Sequence, residues 1–212
     1  PFLKTDYIGF YTDSSAGDAW CPWQDASVRR PLPAAIDRHS IAQTLRRGAV
    51  MPSASFVPPV LLGQEPTEAP RQRLEWALAV LDSVRAVHPE PWQPFRISTT
   101  SDYTDLCSAL QYQWGELGIE VEVDVVSAAA HRDRVATGKA ALFRKSWLAD
   151  YPDAENFLAL FHSKNFAPSG PNYTHFSDEQ FDALFASAMA VTDQQERRGL
   201  YRKLNEVIGR SM

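Results

Sequence analysis

Residues 95–126, FRISTTSDYTDLCSALQYQWGELGIEVEVDVV, contain the pattern that decides the fold of this chain. Phe95 to Thr100 is a short β-rich run. A helical pattern follows, and Gly118 ends it at the position where helices commonly adopt a left-handed cap. Ile119 to Val126 then alternates apolar and acidic residues, as a strand with one solvent-facing side does. Strand, helix and strand at this spacing predict a βαβ unit with parallel strands and a right-handed crossover.

The segments around this unit predict further elements of both kinds. Asp6 to Tyr11 is typical of a strand, and Ala141 to Trp147 is a third β-rich run. Arg71 to His88 predicts an amphipathic helix, because apolar residues recur at each turn. Ala26 to Gly48 is helical in pattern, but prolines in its first half exclude one regular helix, so we expect a broken segment. Met51 to Pro70 is rich in proline and lacks periodicity, and we expect a long surface arm outside the core.

The last third of the sequence is predicted to be helical. Ser177 to Gln180 and Thr192 to Gln195 each fit a capping box, in which a hydroxyl and a later amide or carboxylate satisfy free N–H groups at a helix start. An apolar stripe at helical spacing follows each of them. Helices that alternate with strands and then follow them predict the α/β class.

The composition excludes several classes of protein. The net charge of −5 argues against nucleic acid as a partner, since binders of DNA or RNA present a basic face. No apolar run approaches the length of a membrane span. The chain begins at Pro1 without a signal peptide, so we expect a processed or cloned piece of a longer protein. Cys21 and Cys107 are too few for a disulfide scaffold, and the sequence leaves open whether they pair.

Motifs of catalysis are largely missing from the sequence. It contains neither a Gly-x-Ser-x-Gly elbow nor a glycine-rich phosphate loop. The five histidines are scattered, with no pair at metal-ligand spacing on a helix, so no metal site is expected. Asp150, Asp153 and Glu155 resemble the paired acids of a glycosidase only superficially, because such pairs face each other across a cleft. We therefore expect no enzyme and no cofactor.

The segment from Ser146 to Asp153 is the candidate binding site. It follows the third β-rich run, and ligands of open α/β sheets gather at the carboxyl ends of strands. A fixed carboxylate such as Asp150 suits an ammonium group, and Trp147 could offer an apolar or cation–π wall. Plainer interpretations stay open: Asp153 caps a helix that begins at Ala154, Trp147 anchors the core, and Asp150 is a turn residue.

The same segment carries a family resemblance. Residues 146–158, SWLADYPDAENFL, resemble the signature Gly-Trp-x-Ala-Asp-Tyr-Pro-Asp-x-x-Asn-Phe-Leu of bacterial extracellular solute-binding proteins of the oligopeptide and dipeptide type, family 5. Further motifs of that family resemble this sequence in the same order: Tyr7–Phe10, Val28–Arg38, Leu117–Val121 and Phe176–Leu184. Ser146 departs from the pattern, because glycine is usual there and permits close backbone approach.

The resemblance implies a type II periplasmic-binding-protein fold, a mixed sheet flanked by helices, with residues 1–212 forming a single α/β lobe of a larger two-lobe protein. It implies that Asp150 pairs with the α-ammonium of a bound peptide and that backbone near Ser146 and Leu148 bonds the peptide main chain. It further implies that Trp147 lines a side-chain pocket and that Arg144 lies near a peptide carboxylate.

The function implied by the resemblance is the extracytoplasmic solute-binding component of an ABC importer. Such a protein acts as a monomer, closes by a hinge on a peptide or other small solute, and delivers it to permease subunits in the membrane. A periplasmic or extracytoplasmic location, with a lipid anchor as one form of attachment, follows from the same resemblance. Two alternatives stay open: a nickel chelate, haem, opine or oligosaccharide as ligand, and a ligand-sensing lobe of a transcription regulator.

Overall fold

The chain is described by a computed structural model, which covers residues 3–13, 20–66 and 69–211. A four-stranded mixed sheet forms its centre, with the strand order β1-β4-β2-β3. The strands are β1 (Lys4–Phe10), β2 (Phe95–Thr99), β3 (Val121–Val125) and β4 (Leu142–Leu148). β2 runs parallel to both β3 and β4, whereas β1 pairs with β4 in the antiparallel direction.

Helices surround the sheet. They are α1 (Ala26–Arg29), α2 (Arg38–Ser40), α3 (Leu74–Val87), α4 (Thr104–Gly115), α5 (Ala128–Ala136), α6 (Glu155–Leu158), α7 (Glu179–Ala190) and α8 (Gln194–Ser211). The predicted βαβ unit is confirmed, because β2, α4 and β3 follow one another with the two strands parallel. Gly118 has a φ of +69°, as predicted for the residue that ends the helical region.

The segment from Ala26 to Gly48 is broken, as its prolines predict. A 3₁₀ turn (Leu32–Ala35) separates α1 from α2, and a π-helical turn (Ile41–Leu45) follows α2. Proline lacks the N–H that a continuous helix needs at this point, so short turns replace one long helix.

Two large apolar clusters hold the molecule together. One packs α1, α3 and α4 against β2 and the start of β4, around the fully buried Phe95, Ile97 and Leu142. The other is built mainly from α6, α7 and α8 around Phe157 and Phe181, and it includes Trp147 at its margin. Since neighbouring residues of a strand point to opposite faces, the sheet is covered on both sides and is a mixed sheet flanked by helices, as expected.

The prediction that Met51 to Pro70 is a surface arm outside the core is wrong. Phe56, Val57 and Leu62 are buried in the second cluster, and the Phe56 ring lies 4.8 Å from that of Phe161. Prolines prevent regular hydrogen bonding of the backbone, but they do not prevent the side chains between them from packing. Lack of periodicity therefore indicates irregular backbone here and says nothing about burial.

The helix starts predicted in the last third are each one residue too early. Asp178 caps α7, since its carboxylate accepts a hydrogen bond from the Phe181 N–H at 2.7 Å. The Asp193 carboxylate accepts from the Glu196 N–H at 2.8 Å, at the start of α8. In both places a hydroxyl residue precedes an aspartate, and either can cap a helix, so the motif alone does not select between them.

Cys21 and Cys107 are free thiols, the second of them buried. Among the described residues, no helix is long and apolar enough to cross a membrane.

Candidate functional site

The candidate site lies where β4 extends beyond its neighbour. β4 pairs with β2 at Leu142 and Phe143, whereas its pairing with β1 continues to Leu148. Because β2 ends first and the chain turns into α4, the edge of β4 from Arg144 onward has no strand beside it in the described part of the chain.

Main-chain N–H and C=O groups of β4 point outward along this unpaired side of the strand. The Ala149 N–H donates to the Leu3 carbonyl on the β1 side at 2.9 Å, and hydrogen-bonding directions alternate along an antiparallel strand. Ser146 and Leu148 therefore direct their N–H and C=O groups away from β1. The Arg144 carbonyl has the same direction and accepts a hydrogen bond from His131 Nε2 at 2.9 Å. We call the stretch from Ser146 to Leu148 the open edge of β4.

Asp150 lies two residues beyond this edge and is exposed. The buried Asn156 positions it: the Asn156 Oδ1 accepts from the Asp150 N–H at 3.3 Å and from Trp147 Nε1 at 2.8 Å. The Asn156 Nδ2 lies 3.4 Å from the Asp150 carboxylate. Sequence reasoning gave Asn156 no role of its own, because only the fold brings it beside the turn.

Trp147 is half-buried and packs against the cluster of α6, α7 and α8. Its packing and its hydrogen bond to Asn156 agree with the plainer interpretation of this residue as a core anchor. Asp153 lies just before α6, where its carboxylate accepts from the Glu155 N–H at 2.9 Å, and it thus supports the start of that helix. Leu148 and Tyr151 remain exposed on either side of Asp150.

Arg144 is buried and bound within the protein. Its guanidinium pairs with Asp6 on β1, donates to the Ser146 hydroxyl at 2.6 Å and lies over the Tyr103 ring. Burial by itself would raise the pKa of Asp6, but the Ser146 hydroxyl and the charges of Arg144 and Lys4 outweigh it and lower this pKa. Neither Asp6 nor Tyr103 was predicted at the site, since their proximity arises from strand pairing and from the turn before α4.

A cavity of 230 Å³ opens beside the edge of β4, where β2 ends. Its lining is cationic and includes Thr100, His131, Arg132, Arg144, Lys145 and Ser146. Burial lowers the pKa of the half-buried Lys145, and the nearby charges of Arg132 and Arg144 lower it further. Among the described residues, no three His, Cys, Asp or Glu side chains form a group that could hold a metal ion.

Comparison with known proteins identifies the family of the chain. The model for bacterial extracellular solute-binding proteins, family 5, middle part, matches residues 1–168. The oligopeptide-binding protein OppA of Bacillus subtilis is 27% identical over 221 residues, which take in 96% of this chain and 40% of that protein. The probable deoxycholate-binding periplasmic protein YgiS of Escherichia coli is 29% identical over 98% of this chain and 38% of its own length.

A solved structure confirms the fold. The periplasmic binding protein DppA of Helicobacter pylori, an ABC transporter-associated protein in complex with the peptide STSA, superposes with a TM-score of 0.84 at 24% identity. The match covers 99% of this chain and 40% of DppA, so the chain spans about two fifths of the length of these proteins. The expected α/β lobe of a periplasmic binding protein is thereby confirmed. Since the family model covers most of the sequence, the chain belongs to the bacterial extracellular solute-binding proteins, family 5.

Proposed function

We propose that this chain is one lobe of the solute-binding component of an ABC importer, and that it binds peptides or related amine-bearing solutes in a cleft against a second lobe. The observation that carries the proposal is the open edge of β4 with Asp150 at its end. Family membership and the relatives named for oligopeptides support the same class of ligand.

The edge suits an extended main chain. A peptide that lies beside β4 completes the sheet locally, with hydrogen bonds to Ser146 and Leu148. Such bonds involve only backbone, so they give affinity without selecting side chains. The exposed Leu148 and Tyr151 side chains provide apolar surface for side chains of the solute.

Asp150 suits the amino terminus of that peptide. An ammonium group donates up to three charge-assisted hydrogen bonds, and the carboxylate can accept them while Asn156 holds the turn. When a second lobe closes over the site, Asp150 loses water, and a desolvated carboxylate is costly unless a cation accompanies it. Closure therefore favours a solute with a free amine.

The remaining features of the proposal rest on the family to which the chain belongs. Closure by a hinge and transfer to permease subunits require no chemical step, so the protein is not an enzyme and needs no cofactor. We place it outside the cytoplasm, as a monomer that binds no nucleic acid, with a lipid anchor as one form of attachment.

Calorimetry on the full-length protein tests the role of Asp150. We expect a peptide with a free amino terminus to bind and its N-acetylated form to bind much more weakly. Asp150→Asn should weaken the free-amine peptide about 10- to 100-fold, since a hydrogen bond to a charged group contributes about 1.5–3 kcal/mol.

Asp82→Asn, which removes an exposed carboxylate on α3, is the matched control and should change neither affinity. Equal binding of the two peptides by the unaltered protein would contradict the proposal. It would instead favour a solute without an amine, such as the deoxycholate for which YgiS is named.

A further inference from the structure

Three side chains that the proposed binding of a solute does not use meet just beyond the end of β1. Tyr11 and Asp13 follow β1, and His175 lies in the segment that leads to α7. The Tyr11 Oη lies 3.3 Å from His175 Nδ1 and 3.4 Å from Asp13 Oδ2, and Nδ1 and Oδ2 are 3.4 Å apart. We call these three residues the Tyr-His-Asp cluster. Because β1 begins beside the open edge of β4, the cluster lies at the opposite end of the strand from the proposed ligand site.

The two chain segments that carry the cluster are joined beside it. The Thr12 N–H donates to the Thr174 carbonyl at 2.9 Å, and the Thr12 hydroxyl donates to the same carbonyl at 3.0 Å. Tyr11 and Asp13 lie on either side of Thr12, and both reach His175, the neighbour of Thr174. The main chain is therefore already in place, and a ligand of the cluster would order little of it on binding.

The imidazole ring of His175 is fixed with one nitrogen toward the cluster. Its Nε2 lies 2.9 Å from the Ala167 carbonyl, which can only accept, so Nε2 carries a proton. The Phe166 ring stacks on the imidazole, with ring centres 4.5 Å apart and planes 5° apart. Histidines that bind metals almost always donate their other ring N–H to a carbonyl, a carboxylate or water. His175 is oriented in this way, with Nδ1 as the atom left for a ligand.

The distances between the three donor atoms fit a metal ion better than they fit hydrogen bonds. Hydrogen bonds between such groups are most often about 2.7–3.0 Å long, and all three separations in the cluster are 3.3–3.4 Å. Around a tetrahedral ion with ligands at about 2.0–2.1 Å, any two donor atoms lie about 3.3–3.4 Å apart. The three atoms therefore outline one face of such a tetrahedron.

The polarity of the cluster also favours a cation. With the ring proton on Nε2, His175 Nδ1 presents a lone pair, and Asp13 Oδ2 is an acceptor as well. The Tyr11 hydroxyl has a single proton, which can bridge to only one of these two atoms, whereas a metal ion at the centre attracts all three oxygen and nitrogen atoms at once. An ion can reach them from solvent, because the side chains of His175 and Asp13 are 15% and 33% exposed.

We propose that the Tyr-His-Asp cluster is a metal site that binds a divalent transition-metal ion, Zn²⁺ in the first place, through His175 Nδ1, the Asp13 carboxylate and the Tyr11 phenolate. On binding, the phenol releases its proton to solvent, and water takes the fourth position. The ion joins the end of β1 to the segment before α7 and takes no part in solute binding. The spacing of histidines in the sequence could not indicate this site, since His175 lies 162 and 164 residues from its partners and the third donor is a phenol.

Calorimetry on the chelator-treated full-length protein at pH 8, with Zn²⁺ and with Mg²⁺, tests the site. We expect a site for one Zn²⁺ ion per chain and no comparable binding of Mg²⁺, which demands near-octahedral coordination by oxygen. His175→Gln and Asp13→Asn should each weaken Zn²⁺ binding at least about 100-fold, because loss of an outer partner of a metal ligand already costs about 10- to 100-fold. Zn²⁺ should also raise the midpoint of thermal unfolding of the unaltered protein more than that of either variant.

Tyr11→Phe keeps the ring and removes only the phenol oxygen, so it tests the third ligand. With Cu²⁺ as the probe, the unaltered protein should show a charge-transfer absorption from phenolate to metal, and this variant should lack it. If the band persists in Tyr11→Phe, the phenolate is not a ligand and the proposed set of three donors is wrong.

His88→Gln, which removes a half-buried histidine just after α3, is the matched control and should leave Zn²⁺ binding unchanged. A lack of saturable Zn²⁺ binding in the unaltered protein, or a binding isotherm that His175→Gln and Asp13→Asn leave unchanged, overturns the site. The cluster is then a hydrogen-bonded triad, in which a second proton on the His175 ring takes the place of the ion. Peptide binding at Asp150 is measured separately, so either result leaves the proposed function as it stands.

Discussion

His131 supplies a hydrogen bond to β4 just beyond the point where β2 stops pairing with it. The Arg144 carbonyl can only accept, so His131 Nε2 must carry the proton in their 2.9 Å hydrogen bond. His131 Nδ1 then accepts from the Ser98 hydroxyl at 3.0 Å, which fixes one neutral tautomer. The sequence contains no signal for this role, because a single histidine in a helix gains its partners only when the sheet has formed.

The pKa of His131 should make stability depend on pH. Burial lowers this pKa below its ordinary value of about 6.5, and the charges of Lys145, Arg144 and Arg134 lower it further against the opposing effect of the Arg144 carbonyl. Between the lowered pKa and about 6.5, the unfolded chain binds more protons than the folded one, so the free energy of unfolding falls as pH decreases through this range. Below the lowered pKa the loss is complete.

Urea denaturation of the unaltered chain and of His131→Gln between pH 8 and pH 5 measures this effect. We expect the difference in stability between the two proteins to be largest at pH 8 and to shrink on acidification, because glutamine does not titrate. All other residues are the same in the two proteins, so their contributions cancel in the difference. A difference independent of pH would refute the assignment of a neutral His131.

Asp150 and Asn156 mark how far residues of the site could be predicted. Asp150 follows a strand end, and that position is visible in a periodic sequence, so it was identified as a candidate. Asn156 and Asp6 could not be identified in this way, because their contacts form only in the folded chain. Asn156, at the start of α6, accepts from the Asp150 N–H, and Asp6 on β1 pairs with Arg144 on the neighbouring β4. The resemblance assigns Arg144 to the ligand carboxylate; the structure shows this residue buried and paired with Asp6, and its role toward a ligand stays a prediction.

At the scale of elements, the helix caps give a direct test of the corrected starts of α7 and α8. Asp178→Ala and Asp193→Ala should each lower the free energy of unfolding by about 1 kcal/mol, since each removes the side chain that accepts from a first-turn N–H. Ser177→Ala and Thr192→Ala are the matched controls and should each stay within about 0.5 kcal/mol of the unaltered chain. Urea denaturation measures all four. If the Ser177 and Thr192 variants lost more stability than the aspartate variants, the hydroxyl residues would be the helix caps, as the capping boxes predict.

The sequence predicts elements whose apolar residues recur at a regular spacing, but not features that depend on pairing between distant segments. The β2-α4-β3 unit was found because its alternation and its helical spacing are properties of consecutive residues. The length of β4 beyond β2 was not predictable in this way, since it depends on where two distant segments stop pairing. That length creates the open edge, so the feature on which the proposed function depends is a tertiary one.

At the scale of the whole molecule, the proline-rich segment connects the two ends of the chain. Phe56 packs edge-on against Tyr7 of β1, at 5.1 Å between ring centres, and against Phe161 in the last third, at 4.8 Å. Its carbonyl accepts from the Thr5 hydroxyl at 2.9 Å. Nearby, Asn205 on α8 accepts from the Ser55 hydroxyl at 3.0 Å. The segment thus ties β1, which borders β4, to the helices that pack behind Trp147.

Removing the Phe56 ring should therefore destabilise the whole lobe rather than loosen a surface arm. We expect Phe56→Ala to lower the free energy of unfolding by about 3–5 kcal/mol, the usual cost of deleting a buried phenylalanine ring, with one cooperative transition in urea. Val60→Ala changes a residue of the same segment that is 63% exposed and should shift stability by at most about 0.5 kcal/mol. If the two variants unfolded at the same urea concentration, the segment would be a surface arm as its composition suggests, and β1 would be held by β4 alone. If Phe56→Ala is the less stable by the expected margin, the packing of β1 and of the helices behind Trp147 depends on a segment that has no helical or strand periodicity.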